Sequence, residues 1–134
     1  MTSHILFTLG ARGSPLALAQ ANEARRALAR AQGWEIDRIA LQVIRTTGDR
    51  IQDRPLAEAG GKGLFTKEID AALLAGAIDA AVHSAKDLPS LLPDGVAIGA
   101  CLPREDVRDA LISAFADTIE TLPRGATFAA ASLR

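Results

Sequence analysis

Ile5-Leu6-Phe7-Thr8-Leu9-Gly10-Ala11-Arg12-Gly13-Ser14-Pro15-Leu16-Ala17-Leu18 is the stretch that decides the fold. Ile5 to Leu9 is a short apolar run of the length of a buried strand. Gly10-Ala11-Arg12-Gly13 breaks it. Ser14 then offers a helix N-cap, and Pro15 suits the first helical position, where a missing N–H is harmless. The spacing predicts a helix to about Ala31, with Leu18, Ala21, Leu28 and Ala31 along one face and Gly33 as its stop. A strand feeding a helix through a polar loop is the unit of an α/β protein.

The same alternation continues outward. Ile36 to Ile44 reads as a second strand, and Leu64 to Gly76 as a helix with Phe65, Ile69, Ala72, Leu73 and Gly76 on one stripe. Ile78 to His83 reads as a third strand and Val96 to Leu102 as a fourth, with Cys101 expected to be a buried small hydrophobe. Ala110 to Ser113 and Thr127 to Ala131 are expected as further strands, with a helical turn at Thr118 to Leu122. The fold class is therefore α/β, with a mostly parallel sheet and helices on both faces. Pro103-Arg104-Glu105-Asp106 marks a hinge. Residues 1–103 are expected to form most of a first domain, and residues 104–134 the hinge and an incomplete second domain. A last strand followed by only the start of a helix points to a piece of a longer protein.

Composition narrows the function. In 134 residues, 15 Lys and Arg face 16 Asp and Glu, so no basic excess exists to drive nucleic-acid binding. Aromatics are 4%, too few for a base-stacking surface. No apolar run approaches membrane-spanning length, and Met1 to Gly10 does not read as a secretory signal. The expectation is a cytoplasmic protein with neither nucleic-acid nor membrane partners. Cys101 is the lone cysteine, and His4, His83 and Cys101 lack metal-ligand spacing, so no metal site is expected.

Three polar loops follow strands: Arg12 to Ser14, Thr46 to Arg50, and Ser84 to Asp87. In a parallel sheet they converge on one edge, where α/β proteins bind ligands. Arg12 lies beside a helix N-terminus, and Lys62 in Gly60-Gly61-Lys62-Gly63 can swing over the same edge. The field is read as cationic, with Asp87 its one obvious carboxylate. That suits a ligand with several carboxylates or phosphates. Ser14 equally reads as a helix cap, Lys86-Asp87 as a solvated pair and the glycine stretch as a linker.

Four segments carry a resemblance: Ala11-Arg12-Gly13-Ser14-Pro15-Leu16-Ala17-Leu18, Gly60-Gly61-Lys62-Gly63-Leu64-Phe65-Thr66-Lys67-Glu68, Ala81-Val82-His83-Ser84-Ala85-Lys86-Asp87-Leu88-Pro89, and Pro103-Arg104-Glu105-Asp106-Val107-Arg108-Asp109-Ala110. In this order and spacing the chain resembles the N-terminal part of the porphobilinogen deaminase (hydroxymethylbilane synthase) family. The resemblance implies a three-domain transferase of tetrapyrrole biosynthesis, monomeric at full length. Its first two domains are of the type II periplasmic-binding-protein kind, with the active site in the cleft between them. It also implies head-to-tail condensation of four porphobilinogens with release of ammonia, on a dipyrromethane cofactor held by a cysteine of the third domain. Cys101 is not that cysteine, and this stretch alone is expected not to turn over porphobilinogen.

By the same resemblance Asp87 is catalytic. Arg12, Ser14, Lys62 and Phe65 bind porphobilinogen or the growing linear oligopyrrole, and Lys86, Ser132 and Arg134 bind the cofactor. Two departures stand out. Family members read Gly-Thr-Ser-Ser-Leu-Arg-Arg where this chain reads Ala129-Ala130-Ala131-Ser132-Leu133-Arg134, and Ala85 replaces a common Met. The other reading of the residues is a non-catalytic anion-binding module of the periplasmic-binding type. Asp87 separates the two, because a pure carboxylate binder has little reason to place an acid at the ligand.

Overall fold

A computed structural model describes residues 4–50 and 63–129. The chain divides into two compact units, Met1–Cys101 and Leu102–Arg134.

The first unit is built on three parallel strands: β1 (Phe7–Ala11), β2 (Ile39–Val43) and β3 (Ala80–Ala81), in the order β2-β1-β3. Phe7 lies opposite Ile39 and Ala11 opposite Val43, while Leu9 and Gly10 pair with Ala80 and Ala81. Between β1 and β2 runs helix α1 (Pro15–Gln32). Between β2 and β3 come a single turn, α2 (Thr47–Arg50), and then α3 (Lys67–Leu74). The chain thus leaves β1 toward one side and returns across it to the other. Helix α1 packs against β1 and β2, and α3 against β3 and β1. The carboxyl end of β1 is the point where the strand order reverses, which is where open α/β sheets leave a crevice.

The local chemistry of α1 follows its sequence. Ser14 Oγ accepts the Ala17 N–H at 3.3 Å, Pro15 opens the first turn, and Gly33 closes the helix at φ +66°. That φ lies in the left-handed region, which glycine enters without a Cβ penalty. Ala21 and Ala29 are buried where the helix meets the sheet. Leu9, Ala29 and Ile39 form the core on this side, flanked by Phe7, Leu28, Trp34, Leu41 and Val82. Arg25 reaches from α1 to the carbonyls of Ile39 (2.6 Å) and Ile36 (2.9 Å), tying the helix to the start of β2. Beside β3, Ile69 of α3 and Ile78 are buried. A Cβ at Gly10 would overlap Ile78, so only glycine lets β1 pass this close.

Several expected elements are shorter or absent. The first strand sits two residues later than the apolar run suggests, because Ile5 and Leu6 are exposed whereas Leu9 and Ala11 are buried. Ile36–Arg38 is a 3-10 turn rather than strand, and the helix expected over Leu64 to Gly76 is confined to α3, Lys67–Leu74. Val96 to Leu102 is not a strand. Apolar residues acquire strand character only through a ladder partner, and the two-residue β3 offers a short edge. Cys101 is accordingly exposed, contrary to its expected burial. In the second unit Ala110 to Ser113 is also irregular, as is the described part of Thr127 to Ala131. The expected turn near Thr118 is present as a 3-10 turn, Ile119–Thr121, with reciprocal Thr118 and Thr121 capping. In this unit Ile112, Phe115 and Phe128 are exposed.

Candidate functional site

The three polar loops meet where β1 ends. Arg12 is the hub. Its Nε and Nη2 both donate to Asp49 Oδ1, at 3.0 and 2.6 Å. Its Nη1 lies 3.6 Å from Asp87 Oδ2, and its guanidinium stacks 3.9 Å from the centre of the Phe65 ring. One residue from the loop after β1 is thereby joined to the loops after β2 and β3 and to the approach to α3.

Asp49 is held as firmly as it holds. Thr46 precedes α2, and its backbone N–H (3.2 Å) and hydroxyl (2.8 Å) both donate to Asp49 Oδ2. The Asp49 N–H returns a bond to Thr46 Oγ1 at 3.3 Å. This is a capping box closed by an aspartate, three residues on. One carboxylate oxygen serves the box and the other serves Arg12. Burial alone would raise the Asp49 carboxyl pKa, but the hydrogen bonds from Arg12 and Thr46 outweigh it and hold the group below its ordinary value.

Gly48 completes the arrangement. A Cβ there would overlap the Phe65 ring, and the Gly48 N–H donates to the Leu64 carbonyl at 2.8 Å. The glycine lets the ring slide beneath Arg12. Thr47 donates through both its N–H and its hydroxyl to Glu68 Oε1, which fixes the loop to α3.

Beside Arg12 lies a small cavity of about 30 Å³, lined by Ser14, Gln20, His83, Ser84 and Asp87 among others. Such a volume holds about one water molecule. Ser84 Oγ donates to Gln20 Oε1 at 2.8 Å, bridging the β3 loop to α1. His83 Nε2 is buried without a hydrogen-bond partner among the described residues. Burial pushes the His83 pKa down, more than the carboxylates of Asp70 and Asp87 push it up, and Arg12 adds to the downward shift. The imidazole is therefore neutral at physiological pH.

Of the expected site residues, Arg12, Ser14 and Asp87 line one cavity, and Phe65 lies under Arg12. Ser14 is engaged as the α1 cap. Phe65 precedes α3 rather than riding on it, so it reaches the site and not the core stripe. Lys86 is exposed on the short turn Ala85–Asp87. Lys62, Ser132 and Arg134 lie outside the described residues.

The reading of Asp87 as the one obvious carboxylate at this edge needs correcting. Asp49 stands directly on Arg12, so two carboxylates face one guanidinium. Sequence reasoning also misses Gln20 and His83 as neighbours of Asp87. Asp49 has a signal in the sequence, since Thr46-Thr47-Gly48-Asp49 has capping-box spacing. Gln20 has none, because its place depends on α1 lying alongside the β3 loop.

A family profile described as "Porphobilinogen deaminase, dipyromethane cofactor binding domain" matches residues 7–134. The chain is 63% identical over 130 residues to the porphobilinogen deaminase of Nitrobacter winogradskyi, covering 97% of this chain and 41% of that protein. It is 57% identical over 126 residues to that of Paracoccus denitrificans, covering 94% and 40%. It is 55% identical over 131 residues to the chloroplastic porphobilinogen deaminase of Oryza sativa, covering 96% and 37%. The chain thus spans about two fifths of the length of these curated relatives.

Proposed function

The chain belongs to the porphobilinogen deaminase family, and from that premise we propose that it supplies the Arg12–Asp87 side of an active site that condenses four porphobilinogens, head to tail, into a linear tetrapyrrole with release of ammonia. The observation that carries the reading is Asp87 at the cavity wall, 3.6 Å from the Arg12 guanidinium at the strand-order reversal. The first unit is read as a type II periplasmic-binding-like domain, the second as the start of a similar one, and the whole protein as a cytoplasmic monomer.

Each condensation breaks the C–N bond of the aminomethyl group, and ammonia departs. A cationic methylene-pyrrole remains. The α-carbon of the growing chain's terminal ring attacks the methylene, forming the C–C bond, and then loses its proton. Asp87 accepts the pyrrole N–H and stabilises the cation by charge. In its protonated form Asp87 also gives a proton to the leaving amine, and the resulting carboxylate takes up the proton lost from the α-carbon. Arg12 receives a porphobilinogen carboxylate on its Nη1 edge, and Ser14 and Lys62 complete that anion site. Phe65 packs against a pyrrole ring.

The donor set suits dipyrromethane, which joins carboxylates to pyrrole N–H groups. Lys86 offers an exposed ammonium and Asp87 an acceptor on the same short turn. Lys86, Ser132 and Arg134 are the residues proposed to hold its carboxylates. When bound, that group supplies the pyrrole from which the chain is extended.

Asp87→Asn in the full-length protein tests the assignment, with tetrapyrrole absorbance as the readout. Loss of a positioned acid–base group costs about 10²- to 10⁴-fold in rate, so a fall of at least about a hundredfold is expected. Turnover within about threefold of wild type refutes the role of Asp87. A wild-type protein that binds porphobilinogen without consuming it supports the anion-binding module instead.

A further inference from the structure

We propose that Asp49 is a specificity-determining residue, an internal anion that occupies the bidentate fork of Arg12 so that simple carboxylates do not. The proposal rests on the reading of Arg12 as the substrate-carboxylate site. A guanidinium recognises a carboxylate best through two parallel N–H donors. In this protein Nε and Nη2 form one such fork, and both already donate to Asp49 Oδ1. The remaining edge, Nη1 with the outer N–H of Nη2, is already faced by Asp87, 3.6 Å from Nη1.

Asp49 does not swing aside easily. Its second oxygen takes the N–H and hydroxyl of Thr46, whose side chain is fully buried. Phe65 supports the guanidinium from below, and it fits because residue 48 has no Cβ. Arg12 is therefore fixed in direction, with its charge offset by Asp49, before any ligand arrives. A small dicarboxylate meets one donor edge, flanked by two carboxylates. A ligand gains there only by contacting other groups as well, as a pyrrole N–H would at Asp87. Discrimination of this kind works by repelling the wrong partner as much as by attracting the right one.

The test is calorimetric titration of the intact full-length protein with succinate, which needs no turnover. Asp49→Asn keeps the shape and removes the charge, and it should bind succinate about fivefold or more tightly than wild type. Asp49→Glu restores the charge and should stay within about twofold of wild type. Adding Arg12→Ala to Asp49→Asn should abolish the gain. Thr46→Val retains both charges but loosens Oδ2, and it should give a smaller gain in the same direction. It also decides the matter should Asp49→Asn fail to fold. Equal succinate affinity in wild type and the folded variants overturns the proposal. So does a gain that survives removal of Arg12. A wild-type protein inert toward porphobilinogen would instead overturn the function reading, leaving the succinate comparison intact.

Discussion

Replacing Gly48 with alanine tests how the Arg12 platform is assembled. The new Cβ overlaps the Phe65 ring, so the ring or the α2 turn has to move. Overpacking of this kind costs about 1–3 kcal/mol. Against it, alanine is favoured over glycine inside a helix by up to about 1 kcal/mol, and residue 48 lies in α2. Taking the middle of the overpacking range, about 2 kcal/mol, less the propensity gain of up to about 1 kcal/mol, the net expected loss is about 1–2 kcal/mol, a factor of about 5–30 in the local opening equilibrium. Native-state hydrogen exchange reads that opening at the amide of residue 48, which donates to the Leu64 carbonyl. After correction for intrinsic rates, Gly48→Ala should exchange faster by that factor. The sign should reverse when Phe65 is removed. In a Phe65→Ala background the clash is gone, and Gly48→Ala should slow exchange by up to about fivefold through helix propensity alone. Unchanged or slower exchange in Gly48→Ala with Phe65 present would refute the packing of the ring on the glycine. A loss of the same size in both backgrounds would refute Phe65 as its cause.

Ser14→Ala removes the cap of α1 while leaving Pro15 in place, and should lower stability by about 0.5–2 kcal/mol in urea unfolding. An unchanged midpoint would place the Ser14 hydroxyl elsewhere than on the Ala17 N–H. His83 has its pKa lowered by burial, so the unfolded chain takes up a proton at a higher pH than the folded one. The contribution of neutral His83 is therefore present above the unfolded pKa, near 6.5, and declines as pH falls below it toward the folded value. Melting midpoints of His83→Gln should fall less on acidification from about pH 7 to 5 than those of wild type. Equal slopes would show that His83 does not titrate differently on unfolding.

Much of the first unit was written in its sequence. Ser14, Pro15 and Gly33 define α1 because caps act on neighbouring backbone groups, and local chemistry is legible locally. The alternation of strand and helix yielded a parallel α/β sheet, since each element's period shows on its own. The apolar runs at Val96 and Ala110 misled. An apolar run specifies that a segment can pair, whereas pairing itself requires an edge of matching length elsewhere in the fold.

The site divides in the same way. Arg12, Ser14, Phe65 and Asp87 were legible as members of motifs, and the convergence of their loops followed from strand direction. The charge balance did not follow. A net charge of -1 says nothing of how charges are paired, and Asp49 looked like one more polar residue in a connecting loop. Only the tertiary structure decided that Arg12 is held by one carboxylate, faced by a second and floored by an aromatic ring. Those partners come from residues 49, 87 and 65, and electrostatics depends on distance in space, not along the chain.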